Sequence, residues 1–184
     1  SRRFSDYLVG SPQGYKGGWN ISAEATKAPD TDFFKEIIKD LKVKYPKANL
    51  SGVSMVGFSN GAGYIFRLLI EIDDENLIKR VVPMVSSMEE GQYHDGSFWQ
   101  RSNDKNGNYD VKKKPVTKSS MLSVHGTEDR VVPYLGGKRG RNAIHLSAQD
   151  TAFYWAQQKG FKGKKIADKD GKEITSDIIS YTYK

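Results

Sequence analysis

Apolar residues recur along this chain with two periods. After Asp30 they return at Phe33, Phe34, Ile37, Ile38 and Leu41. That is the stripe of an amphipathic helix, with Asp30 or Thr31 as its N-cap and Pro46 as its stop. Residues 52–57 are short and apolar enough for a buried strand. The run Ala62-Gly63-Tyr64-Ile65-Phe66-Arg67-Leu68-Leu69-Ile70 predicts a helix over 60–71. Residues 78–85 predict another buried strand, with Lys79 and Arg80 at its solvent end. Met121-Leu122-Ser123-Val124-His125 predicts a further strand, ending at Gly126. Residues 4–9 offer one more strand, before a Gly- and Pro-rich loop that runs to Asn20. Ser147-Ala148-Gln149-Asp150 has the form of a capping box opening a helix through Gln158. Lys164-Lys165-Ile166 and residues 174–183 flank Asp170-Gly171, a hairpin-type turn signal within a C-terminal hairpin over 163–184. Residues 87–118 are polar and rich in Gly, Asn and Lys, which predicts a long surface excursion. Strands separated by helices at these intervals predict right-handed βαβ crossovers, a mostly parallel sheet and the α/β class.

Composition narrows the picture without redirecting it. The 184 residues fit one domain, 1–184, large enough for a real core. No run approaches the roughly 18 apolar residues of a membrane span. The opening Ser1-Arg2-Arg3-Phe4 carries no signal-peptide pattern and reads as a mature or trimmed start. The net charge of +7 arises largely from lysines in loops and hairpins, such as Lys112-Lys113-Lys114 and residues 162–165. A nucleic-acid surface would interleave such charges with exposed aromatics, and that pattern is absent. Attraction to acidic polysaccharide is a secondary consequence of the charge. The absence of cysteine excludes disulfides, thiolate catalysis and Cys-based metal sites.

The first candidate for chemistry is Gly57-Phe58-Ser59-Asn60-Gly61. G-x-S-x-G between a strand and a helix is the pattern of a nucleophile elbow: a sharp turn lifts the Ser59 hydroxyl clear of the sheet and aims the following N–H groups at the reaction centre. The competing role is that Ser59 caps the helix. A serine nucleophile requires a base, and the base a carboxylate to orient it. Asp129 is the candidate carboxylate, because it follows a buried strand and so reaches the carboxyl edge of the sheet that Ser59 occupies. Its competing role is turn formation beside Gly126; Glu128 is a solvent-facing neighbour. Of the three histidines, His94 falls in the polar excursion and His125 precedes Asp129, where it serves the local backbone. An elbow of this type is followed along the chain by its acid and then its histidine; His145 alone follows Asp129 and is early for that base, so the general base is expected beyond residue 184. A calcium loop is suggested by Asp104-x-Asn106-x-Asn108-x-Asp110, but Gly107 is misplaced and Pro115 stands where a closing Glu belongs, so a polar turn is expected. The Asp168-x-Asp170-Gly171 cluster is explained by the hairpin.

Gly57-Phe58-Ser59-Asn60-Gly61-Ala62, with His125-Gly126-Thr127-x-Asp129-x-x-Val132-Pro133-Tyr134 and Gly136-Gly137, resembles the polyhydroxybutyrate depolymerase and feruloyl esterase group of α/β-hydrolases. Pro12-Gln13-Gly14 with Trp19-Asn20 is similar to the segment before that group's first long helix, and residues 150–155 to the helix after its acid loop. The resemblance spans most of the chain. It implies an α/β-hydrolase fold with Ser59 as nucleophile, Asp129 as triad acid and Asn60 as one oxyanion donor. The group's second oxyanion donor comes from a His-Gly loop upstream, and its catalytic His from a Gly-rich stretch near the carboxyl end. Neither matches a segment here, so the expectation is a fold incomplete at both ends. Loss of the base costs several orders of magnitude in rate.

The implied activity is that of a serine carboxylesterase without metal or organic cofactor. Its substrate would be feruloyl or acetyl esters on plant polysaccharide, with polyester depolymerisation as the runner-up and export to a secreted or periplasmic location. Trp19, Tyr93, Phe98 and Trp99 are expected to be exposed rings that could stack on a sugar or phenolic group. For Trp19, ordinary packing is the equal alternative. A reading of another class is a non-catalytic, hydrolase-like module that binds carbohydrate or a partner, supported by the lack of a well-placed His.

Overall fold

The computed structural model describes residues 6–21, 26–105, 107–139 and 143–184. The chain is mixed α/β. Helix α1 spans Asp30–Lys44, β1 Val53–Phe58, α2 Asn60–Glu71 and β2 Ile78–Met84. Next come β3 Tyr93–His94, β4 Ser97–Arg101, β5 Tyr109–Lys113 and β6 Ser120–Met121. They are followed by β7 Gly137–Arg139, β8 Ala143–His145, α3 Ala148–Gln158, β9 Lys172–Thr175 and β10 Ile178–Ser180. Strands β1, β2 and β6 form a three-stranded parallel sheet in that order, extended by a parallel bridge between Met84 and Val124.

The helices place their apolar stripes on one face of this sheet. Phe34 and Ile38 of α1, residues 64–66 and 68–70 of α2, and Trp155 of α3 form one core with Ile78 and Val81. Val53, Met55 and Met121 are partly buried against it. The alternating residues point the other way and stay in solvent: Val56 is 69% exposed, Phe58 67% and Leu122 62%. Parallel sheets are ordinarily covered on both faces, so this sheet carries one packed face and one bare apolar face.

Helix α2 and strands β1 and β2 fall within a residue of the periods read from sequence. Elsewhere the structure departs from expectation. Residues 6–9 form no strand, and Phe4 lies outside the described residues. Pro29 rather than Asp30 or Thr31 occupies the cap position of α1. The strand expected over 121–125 pairs through Ser120–Met121 and then only at Val124. Within 87–118 lies the antiparallel sheet β3–β4–β5, and Ser87, Met88, Glu89, Gln92, Phe98 and Arg101 are buried, so the segment is no solvated excursion. Most of these buried side chains are themselves polar or charged, which hides the packing from a composition reading. The C-terminal hairpin turns at residues 176–177, between β9 and β10, whereas Asp168–Asp170 is one turn of 3-10 helix. Asn106 of the expected polar turn lies outside the described residues.

Ser147 caps α3, accepting from the Asp150 N–H at 2.9 Å. Its hydroxyl donates in turn to the Asp150 carboxylate at 2.7 Å. The return bond of the capping box therefore runs to the hydroxyl rather than to the cap's backbone N–H.

Candidate active site at the carboxyl edge of the sheet

Strand β1 ends in a turn with Ser59 at φ 51° and ψ −116°. A non-glycine residue at positive φ is uncommon and strained, and such residues persist where the surroundings over-determine them. Gly57 is part of that surrounding: a Cβ there would sit 2.5 Å from the Gly61 carbonyl oxygen, so the chain can double back only over glycine. At Gly61 a Cβ would meet nothing within 4 Å. The two glycines of the motif are thus unequal, and steric need falls on the first.

Ser59 occupies the cap position of α2 without capping it, since its side chain makes no bond to the first turn. Among the described residues its hydroxyl has no hydrogen-bond partner. The Ser59 carbonyl accepts from the N–H groups of Ala62 and Gly63 at 2.9 and 3.1 Å. The N–H groups of Asn60 and Gly61 are unoccupied among the described residues. They open a 12-residue helix, where unpaired donors and the helix dipole favour negative charge.

A second strained residue adjoins the elbow. Val85, just past β2, has φ 49°, which a β-branched side chain rarely adopts. The Ser59 N–H donates to Met84 at 3.0 Å, and the Val85 N–H to Val124 at 2.8 Å. Three consecutive chain ends therefore lie side by side: the elbow after β1, Val85 after β2 and the His125–Asp129 segment after Val124. The sequence offers no signal for Val85, because an ordinary valine ending a strand looks the same.

Asp129 forms its own turn. Its Oδ1 accepts from the N–H groups of Val131 and Val132 at 2.8 and 2.9 Å, and these bonds hold the carboxyl below its usual range. Oδ2 lies 3.8 Å from His125 Nε2. That nitrogen is 2.7 Å from the Val132 carbonyl, which can only accept, so Nε2 carries the proton and donates. His125 is tied to the local backbone, as its position before Asp129 suggested, and its Nδ1 is buried without a partner among the described residues.

His145 ends β8, pairing with Gly137 and bridging Glu89. Burial lowers its pKa, with His125 adding to the effect. It has no hydrogen bond or ion pair with Ser59 or Asp129 among the described residues. Ser59 and Asp129 thus share one edge of the sheet, while no described histidine joins them.

None of the four rings expected to be exposed is so: Trp19, Tyr93 and Trp99 are half-buried and Phe98 is buried. Trp19 lies beside α2, its indole stacked on Tyr64 at 4.4 Å and on Phe33 at 6.3 Å. Its peptide is gripped by the Asn60 side chain: Trp19 N–H donates to Asn60 Oδ1 at 2.8 Å, and Asn60 Nδ2 donates to the Trp19 carbonyl at 3.0 Å. Trp99, on β4, stacks on His94 at 4.5 Å and donates Nε1–H to the His94 carbonyl. Tyr93 stacks on Tyr154 at 4.0 Å. Phe98 is a buried core residue beside Trp155 rather than an exposed ring.

A buried charge within α2 escaped the sequence reading. Arg67 of α2, 2% exposed, donates from Nε to Glu71 at 2.9 Å and from its terminal nitrogens to the Asn20 carbonyl and to Asp104. Burial opposes its charge, but Glu71 and Asp104 outweigh burial and raise its pKa. Asp30 accepts from the Asn20 N–H at 2.6 Å and from Asn20 Nδ2 at 3.0 Å. Tyr64 donates to the Asp30 carbonyl at 2.6 Å. The available signal was a lone arginine in an apolar helix, four residues before a glutamate.

No group of three or more potential metal ligands occurs among the described residues, and no helix among them is long and apolar enough to cross a membrane. No protein-family model matches the chain, and neither the curated proteins nor the solved structures give a significant match.

Proposed function

We propose that the chain is a serine carboxylesterase of the α/β-hydrolase type. The observation that carries this reading is Ser59 itself, held at a strained φ of 51° with its hydroxyl and the two N–H groups beyond it unbonded among the described residues. A serine that merely began a helix would adopt ordinary extended backbone and bond back to the first turn. Ser59 Oγ would attack the ester carbonyl carbon as its proton passes to a base. The Asn60 N–H would stabilise the oxyanion of the tetrahedral intermediate. Collapse would expel the alcohol, which takes up the proton, and water would then release the acid from the acyl-enzyme by the same steps. Asp129 Oδ2 accepts no hydrogen bond among the described residues, with His125 Nε2 3.8 Å away, and could orient an imidazole. The choice of feruloyl or acetyl esters of plant polysaccharide, and of an exported location, rests on the sequence resemblance alone.

One observation favours the non-catalytic alternative: no described histidine bonds both Ser59 and Asp129. Turnover of p-nitrophenyl acetate and methyl ferulate separates the two readings. The esterase reading predicts that Ser59→Ala loses turnover by several orders of magnitude, to the residual level that oxyanion stabilisation and binding supply, and that Asp129→Asn loses about 10³- to 10⁴-fold in kcat where a histidine completes the triad. Equal rates for the parent protein and Ser59→Ala overturn the role of Ser59; full activity in Asp129→Asn removes the acid.

A further inference from the structure

Asn60 holds two groups at once. Its backbone N–H is the oxyanion donor proposed above, and its carboxamide closes a reciprocal pair of bonds on the peptide of Trp19, 41 residues away in sequence. We infer that this clasp positions the oxyanion donor, making Trp19 and its segment a brace for the first turn of α2; the inference rests on Ser59 being the nucleophile.

The brace is rigid on the far side. Beyond Trp19, Asn20 is almost fully buried, its N–H and side-chain amide both bonded to Asp30 and its carbonyl to Arg67. The Trp19 indole lies nearly parallel to Tyr64, with 3° between the ring planes. On the near side the segment passes close to the site: a Cβ on Gly18 would lie 3.7 Å from Asn60 Oδ1. Its path there depends on small residues, since a Cβ on Gly14 would collide with Gly18 and Gly17 has φ 86°. The peptide that Asn60 grips is therefore fixed by α1, α2 and the Arg67 network together.

The physical need lies in the helix start. The first residue of a helix has no preceding turn to hold it, and Ser59 before it is strained. Without the clasp, the Asn60 peptide could tilt toward a relaxed helix start and draw its N–H away from the oxyanion. A misplacement of this kind affects the transition state more than substrate binding.

The test is steady-state hydrolysis of p-nitrophenyl acetate, with active sites titrated by a fluorophosphonate so that kcat refers to folded, reactive protein. Asn60→Ala is expected to lower kcat per titrated site about 10- to 100-fold with KM within about twofold. Trp19→Phe retains the gripped main-chain N–H and carbonyl, so its kcat per site should fall less than that of Asn60→Ala. Asn60→Asp can still accept from Trp19 but cannot donate to it, and should fall between; it replaces Asn60→Ala if that variant fails to fold. Unchanged kcat per site in Asn60→Ala, or in Asn60→Asp where it stands in, overturns the inference while leaving Ser59 as nucleophile. A fall in Trp19→Phe as large as that in Asn60→Ala also overturns it, by moving the effect to the indole. Absence of Ser59-dependent turnover in the parent protein removes the nucleophile and the clasp's role together.

Discussion

Ser59 and Gly57 depend on one another. The serine can hold φ 51° because the chain closes over Gly57, whose missing Cβ leaves room for the Gly61 carbonyl oxygen at 2.5 Å. Alanine at 57 would force that oxygen and the neighbouring Ala62 nitrogen apart, opening the elbow and shifting the start of α2. Gly57→Ala is expected to cost about 2 kcal/mol or more, read from chemical denaturation. Gly61→Ala adds a methyl into open space and should cost less than half as much. Equal losses at the two positions would contradict the steric account of the motif.

Helix α2 sets the site from one end and ties the fold together along its length. Its apolar residues fill the core while Arg67 joins Glu71, Asp104 and the Asn20 carbonyl, drawing the segment after Trp19 onto the helix. Removing a buried cation strands the carboxylates that surround it. Arg67→Ala should therefore cost about 3 kcal/mol in urea unfolding, and Arg67→Lys should recover less than half of that, because one ammonium cannot reproduce the guanidinium's three-way bonding. A loss below about 1 kcal/mol in Arg67→Ala would show the network to be incidental. The strand–elbow–helix unit was legible in the sequence because β1 and α2 state their periods in apolar runs interrupted by little more than Ser54 and Arg67, and the turn states its glycines. Residues 87–118 were not, because buried positions such as Glu89, Gln92 and Arg101 are polar or charged and Phe98 stands among polar neighbours, while β3 and β4 take their apolar partners from α2 and α3. Val85 and the Asn60–Trp19 clasp were invisible for a different reason: backbone strain and contacts over 41 residues leave no local pattern.

At the scale of the whole molecule, the sheet is lopsided. All three helices contribute to the core on one face, while Val56, Phe58, Leu122 and Val124 stand exposed on the other. The carboxyl edge nevertheless gathers Ser59, Val85 and the His125–Asp129 segment through the backbone ladder of β1, β2 and Val124. Parallel topology alone brings two of the expected catalytic groups to the same edge, which is why their sequence order was informative. It leaves the base unplaced, since His125 donates to Val132 and burial depresses the pKa of His145 at the end of β8. The central claim is that Ser59 is an activated nucleophile rather than a helix start. Reaction of the folded protein with a fluorophosphonate, followed by peptide mass spectrometry, tests it most directly. The account predicts one phosphonyl adduct per molecule, located on Ser59 and abolished by unfolding the protein beforehand. An unmodified Ser59, or one modified no faster than the other serines of the chain, would contradict it.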